Sequence, residues 1–309
     1  MVWDKDFRAS AVVSHTSADG SALVVRGLTD VSIRAGGDVR KEVASGSIYP
    51  DNAHLDALTP QGSFTTYDLK AALAAFGLYK CITADVSHPG FLVYGQKQTC
   101  AGVASGSVHD QYQIRAGIVV ARTLQVDHRG NASLTYDFYA GYDGTNAPVV
   151  RNASVALPTA ASARTPRFSM YSLQLNGVTM DGKRSISIDF APSVTFEGAD
   201  SEVYNSVVSL SSMMPRWTIR GVNPAWLTTV SGLTGVSAPY ASSYLKLKNR
   251  NAAVDAASHI IVNTVGLVSW DTVFDGSIAS PAGVTVNVDS YFDGTNAPVV
   301  CAVDQILES

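Results

Sequence analysis

The residue types that most often perform chemistry are scattered in this chain of 309 residues. Its six histidines and three cysteines do not recur at the short spacings that metal sites require. The motifs of serine hydrolases, phosphate-binding loops, dinucleotide-binding folds and zinc proteases are absent. Asp127 and His128 suit two members of a catalytic triad, but their segment has the composition of a turn. We therefore expect a protein that is not an enzyme and needs no cofactor.

An eight-residue segment is the strongest pattern in the chain. Residues 143–150 return letter for letter at residues 293–300, an offset of 150. Both copies begin with Asp-Gly-Thr-Asn, a composition typical of a turn, and the proline that follows suits the start of an edge strand. The residues expected to form this repeated turn are Asp143, Gly144 and Asn146 in the first copy and Asp293, Gly294 and Asn296 in the second. A contact with another chain and a calcium site remain alternatives for the same oxygens.

His109 and His259 stand at the same offset of 150 residues. They are either a preserved site or packing residues at strand ends, and we favour packing. A repeat of this length has the size of a whole domain. We therefore expect two tandem, similar domains, residues 1–150 and 166–309. Residues 151–165 would join them, because this segment is rich in Ala, Ser, Thr and Pro.

Alternating apolar and polar residues between turn dipeptides predict strands through most of the chain. One segment instead predicts a helix. Thr66 or Asp68 caps its start, Leu69, Leu73 and Phe76 share one face, and Gly77 ends it. The expected fold is mainly β, with two β-sandwich or barrel domains that each carry one short flanking α-helix. The second helix is expected near residues 224–227.

Residues 35–60 contain several glycines and prolines and few periodic runs. They predict a long loop, and loops of this length in a compact domain usually contact something. Residues 196–200 are expected to stand in the second domain where residues 35–38 stand in the first.

The charge composition argues against a protein that grips nucleic acid. Charged residues make up 16% of the chain, hydrophobic residues 46%, and the net charge is −4. About a quarter of a soluble protein is usually charged, so much of this surface is expected to be neutral or covered by partners. No basic stripe is visible that would hold phosphates. The sequence has no signal-peptide pattern and no long apolar run, so we expect a soluble protein made in a cytoplasm.

Two motifs and the element order carry a resemblance to a known family. Ser-Gly-Ser-Ile-Tyr-Pro occupies residues 45–50, and Phe-Thr-Thr-Tyr-Asp-Leu at residues 64–69 opens the short helix before a β-rich segment. The chain resembles the tail tube proteins of bacteriophages with long, non-contractile tails, in the form whose tube domain is duplicated.

That resemblance implies three chains in a pseudo-hexameric ring, with rings stacked into a tube through which genomic DNA passes during ejection without sequence-specific binding. It also implies a stacking loop at residues 35–60, with residues 196–212 as its shorter counterpart. The residues of this loop expected to make the contact are Gly37, Asp38, Arg40, Lys41, Glu42, Ile48 and Tyr49. The implied partners are the chain itself, the tape measure protein, the tail terminator, and distal tail or baseplate proteins. The implied location is the virion tail, after assembly in the host cytoplasm and without membrane insertion.

A different class of function remains open. A tandem β-sandwich could serve as a baseplate, receptor-binding or carbohydrate-binding module. That alternative predicts a discrete oligomer without tubes and an exposed cluster of aromatic side chains.

Overall fold

A computed structural model of the chain describes residues 6–15, 22–37, 39–46, 48–50, 52–55, 58–84, 89–99, 102–158, 165–199, 202–223, 225–226, 237–277 and 280–308. The chain is mainly β, with several antiparallel sheets, as the sequence predicted. One α-helix lies among the described elements. No helix in these ranges is long and apolar enough to cross a membrane.

Thirteen described strands lie in the N-terminal half of the chain, and the helix α1 (Leu69–Phe76) follows the sixth of them. These strands are β1 (Asp6–His15), β2 (Ala22–Val25), β3 (Leu28–Arg34), β4 (Val39–Glu42), β5 (Asn52–Leu55), β6 (Gln61–Thr66), β7 (Tyr79–Thr83), β8 (Phe91–Thr99), β9 (Gly102–Val103), β10 (His109–Ile114), β11 (Ala116–Asp127), β12 (Ser133–Gly141) and β13 (Val149–Val155).

The C-terminal half contributes twelve described strands and a 3-10 turn at Tyr240–Ser242. The strands are β14 (Phe168–Leu175), β15 (Val178–Thr179), β16 (Lys183–Asp189), β17 (Pro192–Glu197), β18 (Val207–Met213), β19 (Arg216–Gly221), β20 (Ser237–Ala238), β21 (Tyr244–Asn249), β22 (His259–Thr264), β23 (Gly266–Ser277), β24 (Ser280–Ser290) and β25 (Val299–Gln305).

Each half has a sheet of its own, and the two sheets share one strand order. In the N-terminal half the order is β13-β10-β8-β1-β2, with β9 also paired to β8. In the C-terminal half it is β25-β22-β21-β14-β15. The five strands along these two orders therefore correspond one to one, and β9 has no counterpart among the described strands.

The largest sheet is built from both halves. Its ten strands run in the order β20-β23-β24-β19-β16-β11-β12-β6-β3, with β7 paired to β11. Two separate hairpins, β4–β5 and β17–β18, complete the described strands. The pairing of β11 with β16 is the point where the N-terminal and C-terminal halves become one sheet.

The ten-stranded sheet has one apolar and one polar face. Along β12, buried and half-buried residues alternate, as expected of a strand with one face on the core. The buried set includes Tyr136 and Phe138, which pack with Phe64, Phe76 and Phe91 at ring-centroid distances of 5.1–6.0 Å. This aromatic cluster joins the large sheet, α1 and β8 in one core.

The predicted caps of α1 are confirmed. The Asp68 carboxylate accepts a hydrogen bond from the Ala71 backbone N–H at 3.3 Å, and Gly77 ends the helix with φ 57°. The Tyr136 hydroxyl donates to the Gly77 carbonyl at 2.7 Å and ties the helix end to the sheet. The helix expected near residues 224–227 lies mostly outside the described residues, which omit residue 224 and residues 227–236.

The two faces of β6 should respond differently to truncation. Phe64→Ala removes a fully buried ring, so we expect the free energy of unfolding to fall by about 3–5 kcal/mol. Ser63→Ala, on the polar face, should change it by less than about 1 kcal/mol. Urea unfolding of both variants measures the difference, and equal losses would show that the faces are wrongly assigned.

Candidate functional site: sheet edges and paired hairpins

The two halves repeat each other in register as well as in strand order. In the first hairpin Val39 faces Leu55 and Glu42 faces Asn52. In the second, Val194 faces Leu210 and Glu197 faces Val207, so every position is shifted by 155 residues (194 − 39). Gly36 and Ala191, which precede the two hairpins, both have positive φ.

This register corrects one sequence prediction. Residues 190–215 match residues 35–60, so the second loop does not start at residue 196. Because the offset is the same before and after the hairpin, the two loops have equal length, and the expectation of a shorter counterpart is wrong.

Strand β11 has two neighbours on the edge opposite β12. Its first part, from Ala116 to Val120, pairs with β7. Its last part pairs with β16, where Thr123 faces Asp189 and Asp127 faces Ser185. The C-terminal half is thus joined to the N-terminal half by backbone hydrogen bonds along a shared strand edge.

The counterparts of these two edges lie at opposite ends of the ten-stranded sheet. Strand β3, which corresponds to β16, pairs with β6 on one side and with no other strand in the described ranges. Strand β23, which corresponds to β11, pairs with β24 and, at Leu267 and Gly266, with β20. Its later part has no further strand partner among the described residues. The edges of β3 and of the later part of β23 are therefore the counterparts of the two edges that pair with each other at the β11–β16 junction.

The β17–β18 hairpin lies against the N-terminal half. The Phe196 ring contacts the Tyr139 ring with centroids 5.5 Å apart, and the Tyr204 and Tyr142 rings are 6.2 Å apart. Tyr139 alternates with the buried residues of β12, so the hairpin rests on the polar face of the sheet. The hairpin thus adds a second contact beside the β11–β16 pairing.

Backbone hydrogen bonds fix this hairpin in place. The Leu58 N–H donates to the Val203 carbonyl at 2.6 Å, and the Tyr142 N–H donates to the Asn205 carbonyl at 2.9 Å. The Asn205 side chain donates to the Thr59 hydroxyl at 2.6 Å. At the hairpin's base, the Phe190 N–H donates to the Arg122 carbonyl at 2.9 Å.

The predicted stacking residues fall on the other hairpin, β4–β5. Arg40, Lys41 and Glu42 lie on β4. Ile48 and Tyr49 are exposed in the loop that joins β4 to β5. Gly37 lies against Leu58, where a side chain would clash, and Asp38 lies outside the described residues. A contact of these residues with a stacked ring stays a prediction.

Side-chain hydroxyl and amide groups form hydrogen bonds with one another on the polar face of the ten-stranded sheet. The closest pairs are Ser32 with Ser63 at 3.2 Å, Thr65 with Thr135 at 2.9 Å, and Thr218 with Asn287 at 3.1 Å. Two arginines on this face lie beside aspartates, Arg122 with Asp137 at 3.8 Å and Arg216 with Asp289 at 3.4 Å. Neighbouring carboxylates thus partly balance the positive charge of this surface.

The repeated Asp-Gly-Thr-Asn segments form the predicted turns. Asp143 accepts hydrogen bonds from the Thr145 and Asn146 backbone N–H groups at 2.9 and 2.6 Å. The turn at Asp293 repeats both bonds at 2.8 and 2.6 Å. Gly144 and Gly294 have positive φ, which glycine adopts readily. No group of three or more His, Cys, Asp or Glu residues that could hold a metal occurs in the described ranges.

Among the described residues, only the first of these turns accepts a hydrogen bond from an arginine side chain. The Arg115 guanidinium donates to Asp143 at 2.7 Å, whereas Val265 stands at the corresponding position of the C-terminal half. Burial disfavours the charged form of Asp143, but the hydrogen bonds from Asn146, Thr145 and Arg115 outweigh it and lower the pKa of the carboxyl. At Asp293 the hydrogen bonds from Asn296 and Thr295 lower the pKa.

Both repeated histidines are buried and structural, as the packing interpretation predicted. The Nδ1 atom of His109 accepts from the Lys97 backbone N–H at 3.0 Å, and that of His259 accepts from the Asn249 N–H at 2.9 Å. Since Nδ1 of His259 is an acceptor, its Nε2 carries the proton and donates to the Ala253 carbonyl at 2.7 Å. The two histidines join neighbouring strands and line no shared site.

His259→Phe should leave a buried N–H and a carbonyl without their partners. We expect the free energy of unfolding to fall by about 2–3 kcal/mol in urea. His109→Phe, which loses the bond from Lys97, should cost less. Equal stability of His259→Phe and the parent chain would contradict the structural role.

Asp143→Ala should destabilise the chain by about 1 kcal/mol at neutral pH, by analogy with the loss of a helix N-cap. Because the folded-state pKa lies below the ordinary value of about 3.9, the charged turn contributes fully above that pH and loses its contribution as pH falls towards the folded-state pKa. The stability difference between variant and parent should therefore narrow in acid. Asp293→Ala, which loses no arginine contact, is the matched control and should show a smaller effect. A gap that widens in acid would contradict the account.

No family model and no curated protein matches this chain. The functional conclusion therefore depends on the sheet edges and hairpins described above.

Proposed function

We propose that the chain is a tandem duplication of one β-sandwich domain and a structural protein of a phage tail tube. In this proposal, chains join head to tail through their strand edges into closed rings, and the rings stack into a conduit for DNA. One observation carries the proposal. The β11–β16 pairing joins two similar halves, and the strands that correspond to β16 and β11, namely β3 and β23, lie at the outer edges of the sheet. These two outer edges could therefore pair between chains as β11 and β16 pair within one chain.

Matching registers support the duplication. The domains would be residues 1–150 and 166–309, joined by residues 151–165. Gly117 and Gly266 illustrate the match. A side chain at Gly117 would meet the Tyr139 carbonyl, and one at Gly266 would meet the Asp289 carbonyl, 150 residues after Tyr139. The close approach of a glycine to the carbonyl of the neighbouring strand thus recurs in both halves, as expected if the two arose from one domain.

Repetition of the edge contact generates the ring. A contact between two different surface patches builds either a closed ring or an open helical filament when it is repeated. In a duplicated chain, three copies supply six domains, which is the pseudo-hexamer that the family resemblance implies. Closure would also pair the edges of β3 and β23, and edges left open promote aggregation.

The wall of such a ring would consist of four strands from each domain. In the N-terminal half these are β3, β6, β12 and β11, and in the C-terminal half β16, β19, β24 and β23. The part of their polar face that the hairpins leave uncovered would line the bore. Hydroxyl and amide groups that hydrogen-bond to each other, and two arginines that lie beside aspartates, weaken the contacts that this face could make with phosphate. DNA would therefore pass without being held.

The remaining partners follow from this proposal. A tape measure protein would fill the bore during assembly, and a terminator and distal tail or baseplate proteins would contact the two ends. The protein would reside in the virion tail after assembly in the host cytoplasm. The family resemblance implies that residues 35–60 contact the next ring of the stack.

Light scattering and negative-stain electron microscopy of the purified protein test this function. We expect particles of three times 32.6 kDa with a central hole, and stacks of them at higher concentration. A monomer at every concentration would contradict the proposal. A discrete oligomer without a hole would favour the binding-module alternative.

A cysteine pair should report the pairing of β3 with β23 between chains. Thr123 faces Thr135 as Thr272 faces Thr285, and Asp189 and Arg34 occupy the matching ends of β16 and β3. The internal pair Thr123 and Asp189 therefore predicts that Arg34 faces Thr272 of another chain. Directly opposed residues lie about 4.5–5.5 Å apart between Cα atoms, within reach of a disulfide.

Oxidation of Arg34→Cys/Thr272→Cys should produce covalent dimers and trimers on a denaturing gel. The matched control, Thr123→Cys/Asp189→Cys, should form its disulfide within one chain and stay at monomer mass. Absence of linked chains from the first pair, while the control forms its bridge, would show that these two edges do not meet.

A further inference from the structure

We propose that the β4–β5 hairpin docks sideways onto β23–β24 of a second copy of this chain, as the β17–β18 hairpin docks onto β11–β12 within the chain. This inference rests on the proposed head-to-tail ring and names the side chains through which neighbouring chains would contact each other. It gives the hairpin a lateral role, whereas the family resemblance implies an axial one.

The shared register identifies which residues would meet. On the hairpin, the shift of 155 residues places Lys41, Ile48 and Tyr49 where Phe196, Val203 and Tyr204 stand. On the sheet, β12 and β24 correspond with a shift of 150 residues, because Tyr136 and Val286 occupy the same place opposite Phe64 and Ile219. Asp289 and Phe292 therefore stand where Tyr139 and Tyr142 stand.

Charge complementarity supports the docking. Within the chain, Phe196 of the hairpin packs on Tyr139 of the sheet. The contact between chains would instead bring Lys41 to Asp289. Both members of the pair have changed together, from two aromatic rings to two opposite charges. The Asp289 side chain is 57% exposed and lies 3.4 Å from Arg216, an exposed contact that leaves room for a second cation.

Apolar exposure supports it as well. Ile48 is 85% and Tyr49 is 72% exposed on the hairpin. Phe292 is 64% and Met214 is 70% exposed on the C-terminal half. These side chains stand at the positions of Val203, Tyr204, Tyr142 and Thr59, which form or adjoin the contact within the chain. Exposed apolar residues of this size, placed at matching positions, favour a protein interface.

Most of the backbone hydrogen bonds can recur between chains. The bond from Phe190 to Arg122 predicts one from Ala35 to Asp271, and the bond from Tyr142 to Asn205 predicts one from Phe292 to Pro50. Pro50, however, lacks two hydrogen-bond donors that its counterpart Asn205 has.

Because Pro50 has no backbone N–H and no amide side chain, it cannot repeat the bonds from Asn205 to Leu58 and Thr59. The contact between chains would therefore depend more strongly on Lys41 and Tyr49.

A charge exchange tests the lateral contact. Lys41→Glu and Asp289→Lys should each weaken ring assembly about tenfold or more in low salt, measured by light scattering over a dilution series. The double variant Lys41→Glu/Asp289→Lys should restore assembly. Lys248→Glu makes the same charge change on β21, in the sheet specific to the C-terminal half, and should assemble like the parent.

The outcomes separate this inference from the ring itself. Failure of the parent chain to form rings would overturn both. Rings that form normally in Lys41→Glu but no longer stack would overturn the lateral contact and support the axial one. Unchanged rings and stacks in both single variants would also overturn the lateral contact while leaving the ring in place.

Cross-linking decides the question if a charge variant does not fold. Tyr49→Cys/Phe292→Cys, treated with a short bis-maleimide, should link separate chains into dimers and trimers. Tyr204→Cys/Tyr142→Cys should be linked within one chain, which makes it the matched control. The unsubstituted chain, with its own three cysteines, sets the background. Linked chains no more abundant than in that background would contradict the docking.

Discussion

The backbone hydrogen bonds between β11 and β16 are the interaction on which the rest of the structure depends. They join the two halves into one ten-stranded sheet and fix how one half sits beside the other. An antiparallel edge accepts a second strand wherever its N–H and C=O groups point outward. Since the halves share one strand order, the edge used at this junction reappears at β3 and at β23. The proposed assembly repeats a contact that the chain already makes with itself.

Under the proposed duplication, paired positions have changed together. In the N-terminal half Gly62 faces Phe138, and a side chain at Gly62 would come within 2.4 Å of the Phe138 ring. In the C-terminal half the same pair is Trp217 and Val288, so the bulk has moved to the other strand. The core is filled in both cases. The exchange of two aromatic rings for Lys41 and Asp289 would be the corresponding change on the surface.

The sequence predicts features whose causes are local. Asp68 and Gly77 delimit α1 because capping depends on residues within one turn of the helix. The Asp-Gly-Thr-Asn turn is likewise set by side-chain bonds to the next few N–H groups. The strand class follows from alternation.

Local patterns do not predict the β11–β16 pairing or the alignment of the two hairpins. Periodicity does not reveal which distant strands pair, so nothing in β11 or β16 alone points to their contact. The sequence does not readily show that the two hairpins have equal length, because they share few residues. Tyr49 with Tyr204 and Pro60 with Pro215, both 155 residues apart, were the signal that could have aligned them.

A cryo-electron microscopy map of the assembled protein would test the central claim most directly. The account predicts a continuous β wall around a central bore, in which β3 of each chain lies antiparallel beside the later part of β23 of its neighbour. A map in which β3 borders solvent, or in which the chains meet through their outer sheets, would contradict it.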